Sequence, residues 1–121
     1  MKLKRWSFLF VLLAGLFTTI LLFHREPAAA TRVIAIKAHR FEFTPDTITL
    51  KKGETVTLQL TSDDLMHGFL LKPLKIETDI VPGKVTELTI TPEKTGTFRV
   101  NCDHYCGAGH SDMHMTVTVT E

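Results

Sequence analysis

Cysteine is scarce in this 121-residue chain: there are two, alongside one tryptophan and one tyrosine. No surplus of basic charge marks it as a binder of nucleic acid. The formal net charge is +1, whereas such proteins carry a clear excess of lysine and arginine. From Thr31 onward ten basic residues face twelve acidic ones, a net charge of −2. Beyond Phe23 no stretch sustains the apolar spacing of an amphipathic helix, which leaves strands as the building element. Internal repeats and low-complexity tracts are absent. So is any pairing of acid, base or nucleophile that would mark a catalytic site. The length suits one domain, and 44% hydrophobic content makes a core feasible.

What is present begins with an uncharged run, Trp6–Phe23, preceded by Lys2, Lys4 and Arg5. Its eighteen residues are just enough to span a bilayer as a helix, and the positive-inside rule keeps residues 1–5 in the cytoplasm. Residues 6–23 therefore read as a transmembrane anchor. The competing reading is the apolar region of a signal peptide cleaved near Ala28-Ala29-Ala30. The anchor is favoured because the run is long and His24-Arg25-Glu26 interrupts it before the alanines. Either way, residues 24–31 form a linker and residues 32–121 an exported domain. It is tethered on the periplasmic or extracellular side of the cytoplasmic membrane, or released into the periplasm. Thiols are normally oxidised there, so two cysteines kept as thiolates need protection, and a metal provides it.

Strand signals fill the domain. Val33–Ile36 is apolar and β-prone, and Thr47–Leu50, Thr55–Leu60, Val85–Ile90, Thr97–Val100 and Met115–Thr120 complete the set. Period-two alternation with threonine outside marks half-buried strands. Pro45-Asp46, Lys52-Gly53-Glu54, Val81-Pro82-Gly83-Lys84 and Lys94-Thr95-Gly96 supply turn chemistry between them. Strands at such short intervals predict an all-β, antiparallel sandwich.

The soft side chains are concentrated in NCDHYCGAGHSDMHM, Asn101–Met115, which holds both cysteines, three of six histidines and two of four methionines. The spacing is Cys102-x3-Cys106-x3-His110-x2-Met113, in a loop between two strands. His67, beside Gly68 in Asp64–Phe69, offers a further donor. Thiolate, imidazole and thioether together select copper, or zinc, over magnesium or calcium. Four readings stand. A Cys102–Cys106 disulfide leaves His110 and Met113 unexplained. Zinc on Cys102, Cys106, His110 and His67 does not need Met113. One copper with a single cysteine leaves the other idle. Two coppers bridged by both thiolates use every donor.

Phe98–Glu121 together with Asp64–Phe69 resembles the CuA domain of cytochrome c oxidase subunit II. The likeness is closest to the short form in B-type heme-copper oxidases, where one N-terminal helix precedes a cupredoxin domain. It extends over nearly all of Arg32–Glu121, including the turns at Lys52-Gly53-Glu54 and Val81-Pro82-Gly83. The resemblance implies a cupredoxin-like Greek-key β-sandwich holding a binuclear copper centre. Cys102 and Cys106 would each bridge both coppers, and His67 and His110 would each bind one terminally. Met113 would be the weak ligand to one copper and the backbone carbonyl of His104 to the other. The family often has Glu or Gln at the last position, but a carbonyl donor does not depend on the side chain.

The resemblance also implies a one-electron relay, with any turnover in a partner. Electrons would come from a periplasmic carrier, a c-type cytochrome or a cupredoxin, and pass to subunit I of a heme-copper oxidase. The family's tryptophan-rich electron-entry segment is missing, since the only tryptophan is Trp6. A free-standing CuA carrier is therefore the principal alternative, followed by a periplasmic copper-handling protein and a zinc-stabilised module. Around the ligands, Gly68 and Gly107 are expected to allow tight turns. Phe69, Tyr105 and Met66 are candidates for an apolar shell. Asp64 reads as an exposed turn carboxylate, with a hydrogen bond to the His67 loop as the alternative, His114 as a surface residue, and His39 and His24 as solvated. Asp103 and Asp112 are candidates for docking a positively charged donor.

Overall fold

Alternating side chains need two faces, and the described residues supply them with nine strands in two sheets. The computed structural model describes residues 30–121. The expected anchor, His24 and most of the linker lie outside the described residues. Among the described residues no helix is long and apolar enough to cross a membrane.

The strands are β1 (Arg32–His39), β2 (Glu42–Thr44), β3 (Thr47–Lys51), β4 (Val56–Ser62), β5 (His67–Leu71), β6 (Ile76–Ile80), β7 (Thr86–Ile90), β8 (Gly96–Asn101) and β9 (His114–Thr120). Two short 3-10 helices, Lys72–Leu74 and His110–Asp112, sit in connections. One sheet has the order β2-β1-β4-β7 and the other β3-β9-β8-β5-β6. The inward faces carry Ile36 and Ala38 from β1, Leu58 and Leu60 from β4, Leu50 from β3 and Val117 and Val119 from β9, all buried. Phe43 and Phe69 meet edge to face in this core, their ring centroids 6.2 Å apart. Each fully buried aliphatic or aromatic side chain contributes about 1.5–3 kcal/mol. Threonine covers the outer faces, where Thr57 and Thr89 pair across β4 and β7.

All six expected strands are present. The antiparallel expectation is corrected at two places: β1 pairs with β4 in parallel, and so does β3 with β9. The chain leaves one sheet for the other between the members of each pair, and spacing along the sequence does not encode such excursions. Three strands were not legible. In β5, His67, Gly68, Phe69 and Leu71 are all buried, so no polar outer face breaks the run. β2 has only three residues, and β6 alternates but carries two acids in five residues.

Two inward parities run on past the strand ends, and a third reaches the first residue of its strand. Val100 of β8 leads to Cys102, Met115 of β9 leads back to Met113, and Phe69 of β5 leads back to His67; all six residues are buried. Because β9, β8 and β5 are neighbours in their sheet, these side chains arrive together at one end of the sandwich.

Leu58 is fully buried in a strand flanked on both sides. Leu58→Ala is expected to cost about 2–5 kcal/mol through the cavity it leaves, read from urea unfolding of the metal-free protein. A loss under about 0.5 kcal/mol would contradict this packing.

Candidate metal centre

The loop Cys102–Met113 is closed at its base by the strand ladder continuing one step, Cys102 N–H donating to Met113 O at 3.1 Å. Inside it, His110–Asp112 forms one 3-10 turn, with Met113 N–H donating to His110 O at 3.2 Å. Residues three apart eclipse one another in a 3-10 turn, which puts His110 and Met113 on the same side. Both then face Cys106: His110 Nδ1 lies 3.8 Å from its Sγ and Met113 Sδ also 3.8 Å. The x2 spacing between His110 and Met113 thus has a local cause.

The other half gathers around Cys102. His67 Nδ1 lies 3.9 Å from Cys102 Sγ, the carbonyl of His104 lies 3.2 Å from it, and Gly68 N–H points to it at 3.4 Å. The two sulfurs are 3.9 Å apart and unbonded. His67 Nδ1 and both sulfurs lie within 4.8 Å of one another; His110 does not join that mutual group. The donors therefore form two sets, each with one thiol, one imidazole and one weaker donor, joined across the sulfur pair. Copper suits such soft-to-borderline donors.

Asp64 is exposed in the β4–β5 connection, as expected, and it also makes the alternative contact to the His67 segment. It is not a free turn carboxylate: its Oδ1 accepts His67 Nε2–H at 2.7 Å, and its Oδ2 accepts the backbone N–H of Arg40 at 2.8 Å. Burial works against its ionisation. The hydrogen bonds from His67, Arg40 and Leu65 more than offset this and hold the carboxyl well below the usual carboxylate range. An ionised acceptor keeps the His67 proton on Nε2 and leaves the Nδ1 lone pair aimed at the sulfurs. Burial pushes the Cys106 thiol up to about 11, the neighbouring Cys102 and the negative charge of Asp64 add to the rise, and the positive charge of Arg40 opposes it.

The remaining expectations divide. Phe69 is buried and Met66 half-buried. Tyr105 does not join the expected apolar shell: its ring is 75% exposed and leans over His110 at a centroid distance of 5.6 Å. The His104 side chain is exposed, so its identity leaves the carbonyl free to face Cys102. His114, Asp103 and Asp112 are exposed. His39 is half-buried and not simply solvated, with Nε2 3.1 Å from a Glu42 oxygen. Gly107 has φ +134°, a conformation that favours glycine. Gly68 lies inside β5 rather than in a turn, and its lack of a side chain has another reason. A Cβ there would stand 2.8 Å from His104 N and would collide with the Asp103 side chain. Arg40 and Phe41, in the β1–β2 turn, were not singled out in sequence. Arg40 Nε–H donates to Cys106 O at 3.0 Å, a contact across 66 residues for which no local pattern exists.

The cupredoxin-like domain model matches residues 10–119. The cytochrome c oxidase subunit 2 of Thermus thermophilus is 32% identical over 88 residues, 73% of this chain and 65% of that protein. A probable cytochrome c oxidase subunit 2 of Streptomyces coelicolor is 41% identical over 73 residues, 60% of this chain and 23% of that protein. The chain thus spans just under two thirds of the first relative and about a quarter of the second. Among solved structures, the periplasmic domain of subunit II of cytochrome oxidase of Bradyrhizobium japonicum superposes with a TM-score of 0.69 at 20% identity, covering 76% of this chain and 86% of that one. A chain of a heme-copper terminal oxidase dimer gives 0.68 at 22% identity, covering 97% of each. These likenesses are of fold.

Gly68→Ala forces the Asp103–His104 backbone outward. In the metal-free protein it is expected to raise the rate at which a thiol reagent labels the buried cysteines by about tenfold or more, since opening rather than chemistry limits access. Labelling at the wild-type rate would show that the close approach is not needed.

Proposed function

The chain belongs to the cupredoxin-like domain family, and from that premise we propose that it is a copper-bearing, one-electron relay. It serves as subunit II of a heme-copper oxidase and works on the periplasmic face of the cytoplasmic membrane. One observation carries the reading: two unbonded thiols 3.9 Å apart, each with its own imidazole and its own weak donor. A single four-coordinate ion would use one compact set of donors; two sets sharing a sulfur pair suit two ions.

Cys102 and Cys106 would hold the copper pair between them, with His67, through Nδ1, and the His104 carbonyl as further donors on the Cys102 side and His110, through Nδ1, and Met113 on the Cys106 side. Bound there, the copper pair supplies one-electron chemistry with the charge shared between two ions. The protein's part is to keep the donors still. The strand ends hold His67, Cys102 and Met113, the 3-10 turn holds His110, and Asp64 fixes the tautomer and ring plane of His67. Burial of both cysteines and Met113 keeps water from the sulfurs.

The donor is a periplasmic carrier, a c-type cytochrome or a cupredoxin, and the acceptor is oxidase subunit I. Trp6–Phe23 anchors the chain beside that acceptor. Asp103 and Asp112, both exposed, suit a donor with a basic docking face.

Copper loading of the protein is expected to give a purple species with about two coppers per chain and a seven-line electron paramagnetic resonance pattern, the mark of one unpaired electron on two equivalent copper nuclei. Cys102→Ser removes that pattern. Asp64→Asn keeps it but weakens copper retention against a chelator by about 10–100-fold. A colourless protein holding a single zinc would sink the relay, as would an unchanged spectrum in Cys102→Ser.

A further inference from the structure

Two loops from distant parts of the chain make the centre, and each needs a fixed position relative to the other. The His67 side comes from the β4–β5 connection and the Cys106 side from the β8–β9 connection. The β1–β2 turn touches both. Arg40 donates its backbone N–H to Asp64 Oδ2 at 2.8 Å, and the other oxygen of that carboxylate holds His67 at 2.7 Å. The same residue donates Nε–H to the Cys106 carbonyl at 3.0 Å. Phe41, next in sequence, lies against the backbone of Gly107, where a Cβ would come within 3.0 Å of its ring. A continuous path of polar contacts thus runs from the His67 imidazole through Asp64 and Arg40 to Cys106.

We propose that Arg40 is a positioning residue of the copper centre: it clamps the two ligand loops together and places a fixed cation beside the Cys106 sulfur. The inference rests on the copper reading above. Among the described residues the guanidinium has no carboxylate within ion-pair distance. The Asp64 carboxylate, held by the Arg40 backbone, acts on the Cys106 sulfur in the opposite sense, so removing the Arg40 charge leaves that negative charge unopposed. Oxidation of a copper–thiolate centre adds positive charge, and a nearby cation disfavours that. Arg40 therefore raises the tendency of the centre to take up an electron. The clamp acts on a different quantity. With the Cys106 carbonyl held from outside the loop, the sulfur does not need the metal to stay in place. The site is then preorganised and its two redox states share one geometry.

Both consequences are measurable in the copper-loaded full chain. Arg40→Met removes charge and donor while keeping bulk. Arg40→Lys keeps the charge but lacks the planar Nε–H that reaches the carbonyl. In Arg40→Met the reduction potential is expected to fall, by a shift equal to about three- to tenfold in the one-electron equilibrium at partly solvated distances. Arg40→Lys returns it most of the way to the wild-type value. Copper transfer to a chelator quickens about tenfold in both variants, because neither restores the clamp. If Arg40→Met does not fold, Arg40→Gln is read in the same way. A wild-type potential in the uncharged variant overturns the electrostatic role, and wild-type copper retention overturns the clamp. A fall that Arg40→Lys does not reverse reduces Arg40 to general packing and also overturns the proposal. Failure of the copper reading would look different: the wild-type chain itself would show no copper couple.

Discussion

Two sulfur atoms are held close without being joined, and the rest of the structure follows from that constraint. In an oxidising compartment, neighbouring thiols drift toward a disulfide. Here each sulfur answers to a different part of the scaffold. Cys102 belongs to the strand ladder, whose last rung is its bond to Met113 O. Cys106 belongs to the loop, and its carbonyl is held by Arg40 from across the molecule. The sulfurs meet where the two supports end, with an imidazole behind each.

The sandwich explains why the donors hardly move. Three adjacent strands deliver His67, Cys102 and Met113 by simple continuation of their inward parity. Any shift of these residues would therefore require slippage of a paired strand, which would turn whole rows of core side chains outward. Cys106, the His104 carbonyl and His110 come from the loop rather than from a strand; the His110 turn is short enough to be fixed by its own carbonyl bonds, and the Cys106 carbonyl is held by Arg40. Small relaxation between oxidation states is what the proposed relay would require, and the β-scaffold, by fixing the strand ends that carry His67, Cys102 and Met113, favours it.

How much of this the sequence disclosed depends on whether the cause was local. Six strands were legible because threonine and apolar residues alternate in them. The Cys102–Met113 spacing was legible because a strand end and a single 3-10 turn generate it. β5 was hidden by being buried on both sides. The parallel pairings were hidden because direction depends on what the chain does between two strands. Asp64 is exposed, as its place in a turn suggested, but its carboxylate also holds His67, three residues on, and the Arg40 backbone 24 residues back, a contact that only the fold supplies. Gly68 was assigned to a turn, yet it is there to let the Asp103–His104 backbone pass. Arg40 gave no signal at all: an arginine in a hairpin turn is ordinary, and only the fold carries it to Cys106.

The central claim is that two metal ions share the sulfur pair. X-ray absorption at the copper edge of the loaded protein tests it most directly, because it reads the neighbours of each copper without depending on spin. The account predicts two sulfurs, one imidazole and a second copper around each absorbing atom. A copper surrounded by light atoms and sulfur alone, with no metal neighbour, would contradict it.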